Sequence, residues 1–423
     1  MRVLVLGSGA KDHAITWLFS RSKLIEGLFV AHGNVGTESI AVNLKYVNPS
    51  SPESVYRACL VHNIDTVFIG TEGPLLTGVV DFLNSKNIRV IGAPSKALRF
   101  ENDRAFSKEF LNKYNVPTTE YKHFSDYSSL EKFLIANEGK HFIIKSNEQA
   151  PSRVMLDSTN KTQLLKFAKN LLSSGSIVLE DFREGLALTS TLFVDNEGYL
   201  ALPLCSEYTK TEEGGSPTGG MGAICPVPIS KKLGTQIRNT IIGPLLEGLK
   251  KEGFAYKGIL TLSIVDHPTQ GPAVVDIHVR LNDPATQAIV PLIKSDIIDI
   301  LEAMFNDTIS TFKLETSNDT CAAIVIASEG YPENPITGKE LSNISSPILL
   351  NTFSKDIPLF FYGCVDRIGN KIVTTGGRCV TIVGRSNNIV NASKAAYRAL
   401  PNIDFPGKWY REDIGMKFYD SLL

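Results

Sequence analysis

The first hundred residues alternate short, branched apolar runs with stretches of helix length, and this alternation constrains the fold more than any other feature. Residues 2–6 (RVLVL), 28–31 (LFVA), 66–69 (TVFI) and 89–91 (RVI) are rich in Val, Ile and Leu and show no polar alternation. Strands of that kind are buried on both faces, as in a parallel sheet. Between them lie segments such as 12–22 and 74–84, long enough for a helix. Strand–helix alternation predicts a doubly wound α/β sheet, a Rossmann-like domain over residues 1–100. Ligands of such sheets sit beyond the carboxyl ends of the strands, where Gly7, Gly9, Gly33, Gly36, Gly70 and Glu72 fall.

The texture changes near residue 101. Residues 101–114 (ENDRAFSKEFLNKY) read as one charged helix ended by the Val-Pro pair at 116–117. Residues 118–183 hold short strands around a helix at 161–172, which suits a small α+β lid. Turn signals follow at 195–198 and 218–222. Two long strands, 258–265 and 273–279, flank a His-Pro-Thr-Gln-Gly-Pro turn, and 292–304 reads as a helix. From about 320 the pattern is β-rich, closed by a helix at 389–400. The expected division is therefore 1–100, 101–315 with a lid at about 118–183, and 316–423. A length of 423 residues suits three domains at roughly 150 residues each.

With 44 acidic and 43 basic side chains the net charge is −1, which gives polyanion binding no electrostatic support. Nucleic acid and membrane are thus excluded as expected partners, and no apolar run approaches the roughly 18–20 residues of a membrane span. The amino-terminal run, broken by glycine, does not read as a signal peptide. Cysteines 59, 205, 225, 321, 364 and 379 lack CxxC spacing and read as reduced core thiols of a cytoplasmic protein. Small molecules are the expected ligands.

Gly7-Ser-Gly9 resembles half of a dinucleotide fingerprint, but Asp12 occupies the third glycine position, so both a ligand turn and a plain tight turn remain open. His13, alone at a helix start, reads more readily as structural than as a ligand. Residues 217–222 (PTGGMG) read as a loop whose backbone N–H groups suit an anion or carboxylate, or else as a plain turn. At the end of the strand at 273–279, Asp276, His278 and Arg280 share one face, with Asp283 and Gln287 in the exit loop.

Taken together, GSGAKDHA at 7–14, HGNVGT at 32–37, TEGPLLTGVVD at 71–81, GAPSKALRFENDRAFSKEF at 92–110, PTGGMGA at 217–223, RLNDPATQ at 280–287, KSD at 294–296, TTGGR at 374–378 and YREDIG at 410–415 resemble the glycinamide ribonucleotide synthetases of the ATP-grasp superfamily. The likeness is collinear over about the whole chain. It implies an N-terminal pre-ATP-grasp domain, an ATP-grasp body with lid, and a β-rich C-terminal domain. It also implies ATP-dependent joining of glycine to 5-phosphoribosylamine through a glycyl phosphate, in de novo purine biosynthesis, with ATP and Mg²⁺ or Mn²⁺ as cofactors. By this resemblance Gly9, His13, Asn34, Gly36, Thr37 and Glu72 hold the phosphoribosyl substrate. Gly219, Gly220, Met221, Gly222, Thr286 and Gln287 line the substrate site, and Arg280 and Asp283 are catalytic. ATP falls to Arg104, Lys145, Arg153, Glu180 and Phe182, and metal to Asp276 and His278.

The departures cluster on the nucleotide side. The family's flap K-A-D-G-L-A-A-G-K-G-V reads KSNEQAPSRVM at 145–155, with every glycine lost and Pro151 inserted. Loss of φ > 0 freedom and of one N–H disfavours a phosphate-cradling loop. Leu186 and Ala187 replace an acidic pair, Ala285 replaces a glutamate, and Arg104 replaces a lysine. Asp276 and His278 replace Glu and Asn, a set that serves magnesium less well and leans towards a transition metal. Three functions follow from the sequence: a working ligase with an atypical ATP and metal site, a binding or regulatory relative without ligation, or a ligase acting on another amine or phosphosugar.

Overall fold

The computed structural model describes residues 1–147, 155–343 and 357–419. The four expected N-terminal runs are the parallel strands Arg2–Gly7, Gly27–His32, Thr66–Ile69 and Arg89–Ile91, with Val42–Asn43 added at one edge. Val3 to Leu6 and Val67 to Phe68 are wholly buried, as central strands covered on both faces must be. The helix Ala10–Ser20 is buried nearly all round, because C-terminal residues cover its outer side; Trp17 meets Phe361 edge-on at 6.0 Å.

Two expected helices are each divided. Residues 74–84 fall in Glu72–Leu76 and Val79–Ser85, parted at Gly78, whose φ is +72°. Residues 101–114 fall in Ser95–Asn102 and Arg104–Lys113. Asp103 lies between them in extended geometry, and its carboxylate accepts from the Phe106 N–H. A short acid that can cap a helix competes with continuing one. The helix expected at 292–304 starts only at Ile297, after the Asp296 cap.

The lid is an antiparallel sheet of Tyr121–Phe124, Ile177–Asp181, Phe142–Ser146 and Met155–Ser158. Its own core gathers Leu130, Phe142, Ile144, Leu164 and Ile177. The body sheet sets Leu186–Val194 against the hairpin Gly258–His267 and Gly271–His278.

Residues 217–222 are not the expected loop. They lie in the strand Pro217–Cys225, which pairs with Ser206–Lys210 on one side and Thr320–Ala327 on the other. Glycines scored as turn signals here serve close backbone approach within a sheet, which local propensity cannot distinguish. That sheet continues through Arg378–Ser386 to Leu359–Tyr362, so residues 206–225 are hydrogen-bonded into the C-terminal β structure. All six cysteines are free; five are buried as expected, whereas Cys364 is exposed.

Candidate active site

The polar face of Gly271–His278 is the spine of the site. Alternation sends Asp276 and His278 to the side of the sheet that faces the helices Ser95–Asn102 and Arg104–Lys113, and Arg280 follows just beyond the strand. Asp276 is ion-paired with Arg104 and lies 3.4 Å from Lys145 Nζ. Lys145 also donates to the Val275 carbonyl at 3.0 Å and lies 2.8 Å from Glu180 Oε1. Glu180 Oε2 accepts from Lys108 Nζ at 2.8 Å and from Thr119 Oγ1 at 2.6 Å. Burial pushes the Glu180 carboxyl up, yet Lys108 and Lys145 beside it prevail and hold it at about 2. Three cations and two carboxylates thus leave one net positive charge where the lid meets the body.

Of the expected nucleotide residues, Arg104, Lys145 and Glu180 come together here, while Arg153 lies outside the described residues. Phe182 is 38% exposed and stacks on His141 with ring centroids 3.9 Å apart. Lys108, part of this cluster, was not singled out in the sequence. Its spacing of four from Arg104 on one helix was the available signal.

Just beyond the strand Arg280 Nη2 lies 2.8 Å from Glu72 Oε1 and 2.9 Å from Glu101 Oε1. Glu101 also accepts from the Val279 N–H at 3.1 Å and lies 3.6 Å from His278 Nδ1. Glu101 was likewise missed, because its partners lie 178 residues away in sequence. Both glutamates meet the guanidinium at Nη2, while its buried Nε has no hydrogen-bond partner among the described residues.

The glycine pair at 219–220 does not form the expected N–H cradle. The Gly219 N–H donates to the Tyr331 hydroxyl at 2.9 Å and that of Gly220 to Thr218 Oγ1 at 3.1 Å. Their carbonyls face Arg378, whose Nη1 donates to Gly219 O at 2.7 Å, Asp283 O at 3.1 Å and Asp283 Oδ1 at 2.9 Å. Met221 packs in a small apolar cluster with Val325 and Ala327, and Gly222 leaves room for Ile414. Gly220 has φ of +112°, and a Cβ there would stand 2.6 Å from the Asp283 carbonyl oxygen. Gly220→Ala is expected to cost about 2–3 kcal/mol by thermal unfolding, from strain and backbone overlap together. Gly219→Ala is expected to cost less, since its Cβ would meet only the movable end of Arg378.

At the N-terminal turn Asp12 closes the glycine loop itself, accepting from the Gly9 N–H at 2.8 Å. Asn34 spends its amide on Ser8 O at 2.8 Å and Tyr362 O at 2.6 Å, and accepts from the Gly36 and Thr37 N–H groups. His13 Nδ1 accepts from the Tyr362 N–H at 3.0 Å, and Gly36 lies flat against its ring. Thr286 and Gln287 are buried in the short helix Ala285–Ile289, where Thr286 donates to Asn282 O and Gln287 Nε2 to Thr381 Oγ1. His13 and Asn34 thus join the N-terminal domain to the C-terminal sheet, and Gln287 joins the body to it.

Asp276 and His278 do not form a preassembled metal centre. Asp276 is met by two cations and His278 by Glu101, and among the described residues no group of three His, Cys, Asp or Glu side chains could hold a metal ion. Nor is any helix of the described residues long and apolar enough to cross a membrane.

Residues 1–101, 102–286 and 321–417 match, in order, the N domain, the ATP-grasp (A) domain and the C domain of phosphoribosylglycinamide synthetase. The chain belongs to the phosphoribosylglycinamide synthetase family. It is 32% identical to the phosphoribosylamine–glycine ligase of Caldanaerobacter subterraneus, over 98% of this chain and 99% of that one. It is 31% identical to the bifunctional purine biosynthetic protein PUR2,5 of Pichia angusta, over 99% of this chain. The chain spans about half of that relative, 54% of its length. The crystal structure of the phosphoribosylamine–glycine ligase of Thermotoga maritima superposes with a TM-score of 0.83 at 26% identity, covering 98% of this chain and 100% of that one. The family thus accounts for the order of the three parts, including the ATP-grasp body and its lid.

Proposed function

We propose that the chain is a cytoplasmic ATP-dependent ligase that joins glycine to 5-phosphoribosylamine, as the names of its single-function relatives indicate for them. The observation that carries this reading is the meeting of Glu72, Glu101 and Arg280 at the junction of the N-terminal domain with the body, four residues along the chain from Asp276, which pairs with Arg104 and Lys145 where the lid meets the body. Two substrate regions lie on one continuous polar face.

The chemistry has two steps. A glycine carboxylate oxygen takes the γ-phosphoryl group of ATP, giving glycyl phosphate and ADP. The amine of phosphoribosylamine then attacks the acyl carbon, phosphate leaves with the bonding pair, and the amine gives up a proton. Arg104, Lys145 and Arg153 offset the triphosphate charge, and the 180–182 segment receives the base. Arg280 and Asp283 orient the reacting acid and amine. Gly9, His13, Asn34, Gly36 and Thr37 shape the ribose phosphate pocket, Asn34 and His13 from behind it. Because Asp276 and His278 do not preassemble a metal site, no step is assigned to a protein-held metal.

A binding protein that has lost ligation is the second reading, favoured by the pairing of Arg104 and Lys145 with carboxylates of the chain itself. Incubation with ATP, Mg²⁺ or Mn²⁺, glycine and freshly prepared phosphoribosylamine is expected to yield ADP and the amide in equal amounts. Absence of product with either metal, with no heat of ATP binding by calorimetry, would overturn the ligase reading.

A further inference from the structure

The turn that carries Asp283 is held from behind by a residue that neither the motifs nor the family likeness singles out. Glu207 lies on the strand Ser206–Lys210, and its carboxylate faces residues 282–285. Oε2 accepts from Thr189 Oγ1 at 2.7 Å and from Asn282 Nδ2 at 3.2 Å, and Oε1 accepts from the Ala285 N–H at 3.3 Å. The donors thus come from both ends of the turn, one residue before Asp283 and two after it. In front, Arg378 ties the Asp283 carboxylate and carbonyl to Gly219 O. Asp283 is fixed between these two supports, and Glu207 ties the turn to the strand Ser206–Lys210 at the edge of the C-terminal sheet. A carboxylate serves this purpose because it accepts several donors at once. Burial pushes its pKa up, the three hydrogen bonds pull it down, and the Asp283 charge nearby adds to the rise.

We infer that Glu207 is a positioning residue for the amino-acid side of the site, setting where the Asp283 turn presents itself to the acid and amine substrates. This rests on the ligase reading. Misplacement of a reacting group by a fraction of an ångström costs rate steeply, whereas a distant nucleotide contact is indifferent to it.

The test uses the full chain with Glu207→Ala and Glu207→Gln, each first shown to melt cooperatively. In steady-state assays the alanine variant is expected to raise the glycine KM, or lower kcat/KM for glycine, by roughly tenfold to a hundredfold. Its KM for ATP is expected to stay within about twofold. Glutamine is expected to restore most of the loss, since its amide oxygen still accepts from Thr189 and Asn282. In parallel, amide hydrogen exchange over 282–287 is expected to speed up throughout in the alanine variant and only at Ala285 in the glutamine one, whose amide has a single acceptor oxygen. An unchanged kcat/KM for glycine, or equal losses towards glycine and ATP, would overturn the inference. If the wild-type chain makes no product, the ligase reading fails, and the exchange rates still decide: unchanged protection over 282–287 would overturn the positioning role.

Discussion

Glu180→Ala is expected to lower stability by about 3–5 kcal/mol, because it strands two buried ammonium groups without their counter-charge. Glu180 is 1% exposed, and Lys108 and Lys145 are scarcely more. No apolar substitution can solvate those lysines, and neither side chain has another carboxylate as close as Glu180, since Asp276 reaches Lys145 only at 3.4 Å. The loss is a large share of the stability of an ordinary domain. Glu180→Gln is expected to cost less, as the amide oxygen still accepts from Thr119 or Lys108. Urea midpoints at constant slope measure both values. A midpoint equal to that of the wild type would mean that water enters the cluster and the lysines do not depend on Glu180. The same residue contributes to acid sensitivity only at low pH. Its folded pKa of about 2 lies below the ordinary 4.5, so its contribution is complete above 4.5 and is lost as pH falls through 2.

Between pH 6.5 and 4.5 the expected loss of stability belongs to His13. Burial pulls its pKa from 6.5 to about 3. The unfolded chain binds a proton below 6.5 while the folded one refuses it until about 3, so stability falls as pH falls through that window, at up to about 1.4 kcal/mol per pH unit. The geometry explains the refusal. Nδ1 already accepts from the Tyr362 N–H, which leaves the proton of the neutral ring on Nε2, and protonating Nδ1 would set two donors against each other. His13→Asn is expected to be less stable at pH 7 by about 1–3 kcal/mol. It should also flatten the slope of unfolding free energy against pH between 6.5 and 4.5. Urea titrations at several pH values check this, and an unchanged slope in the variant would assign the window to another group.

Much of the architecture was legible because it rests on local pattern. The N-terminal strands are read directly from runs such as RVLVL and TVFI, whose short length, branched apolar residues and flanking glycines suit strands covered on both faces. The helix Lys161–Leu172 and the hairpin around HPTQGP were legible for the same reason. So was the shared face of Asp276, His278 and Arg280, which follows from a strand period of two. The divided helices were legible only in part. Asp103 can be read either as a helix interior acid or as a cap, and the contacts of both flanking helices decide between them. The glycines at 219–222 misled, since glycine signals a turn and a crowded strand equally well, and only the positions of Arg378, Asp283 and Ile414 choose.

By itself, then, the sequence determined the fold class, the order of the parts and some of the polar residues that gather, Arg104, Lys145 and Glu180 among them but not Lys108 or Glu101, because periodicity and motif order are properties of neighbours along the chain. Which charge meets which was decided only by the tertiary structure. Arg280 finds Glu101 and Glu72, Lys145 finds Glu180, and Asp283 finds Arg378 and the turn supported by Glu207, all across separations that no local period encodes. Coulombic and hydrogen-bond energies depend on distance in space, and that distance exists only once the strand Pro217–Cys225 has joined the C-terminal sheet and the helix Ala10–Ser20 has been covered by it.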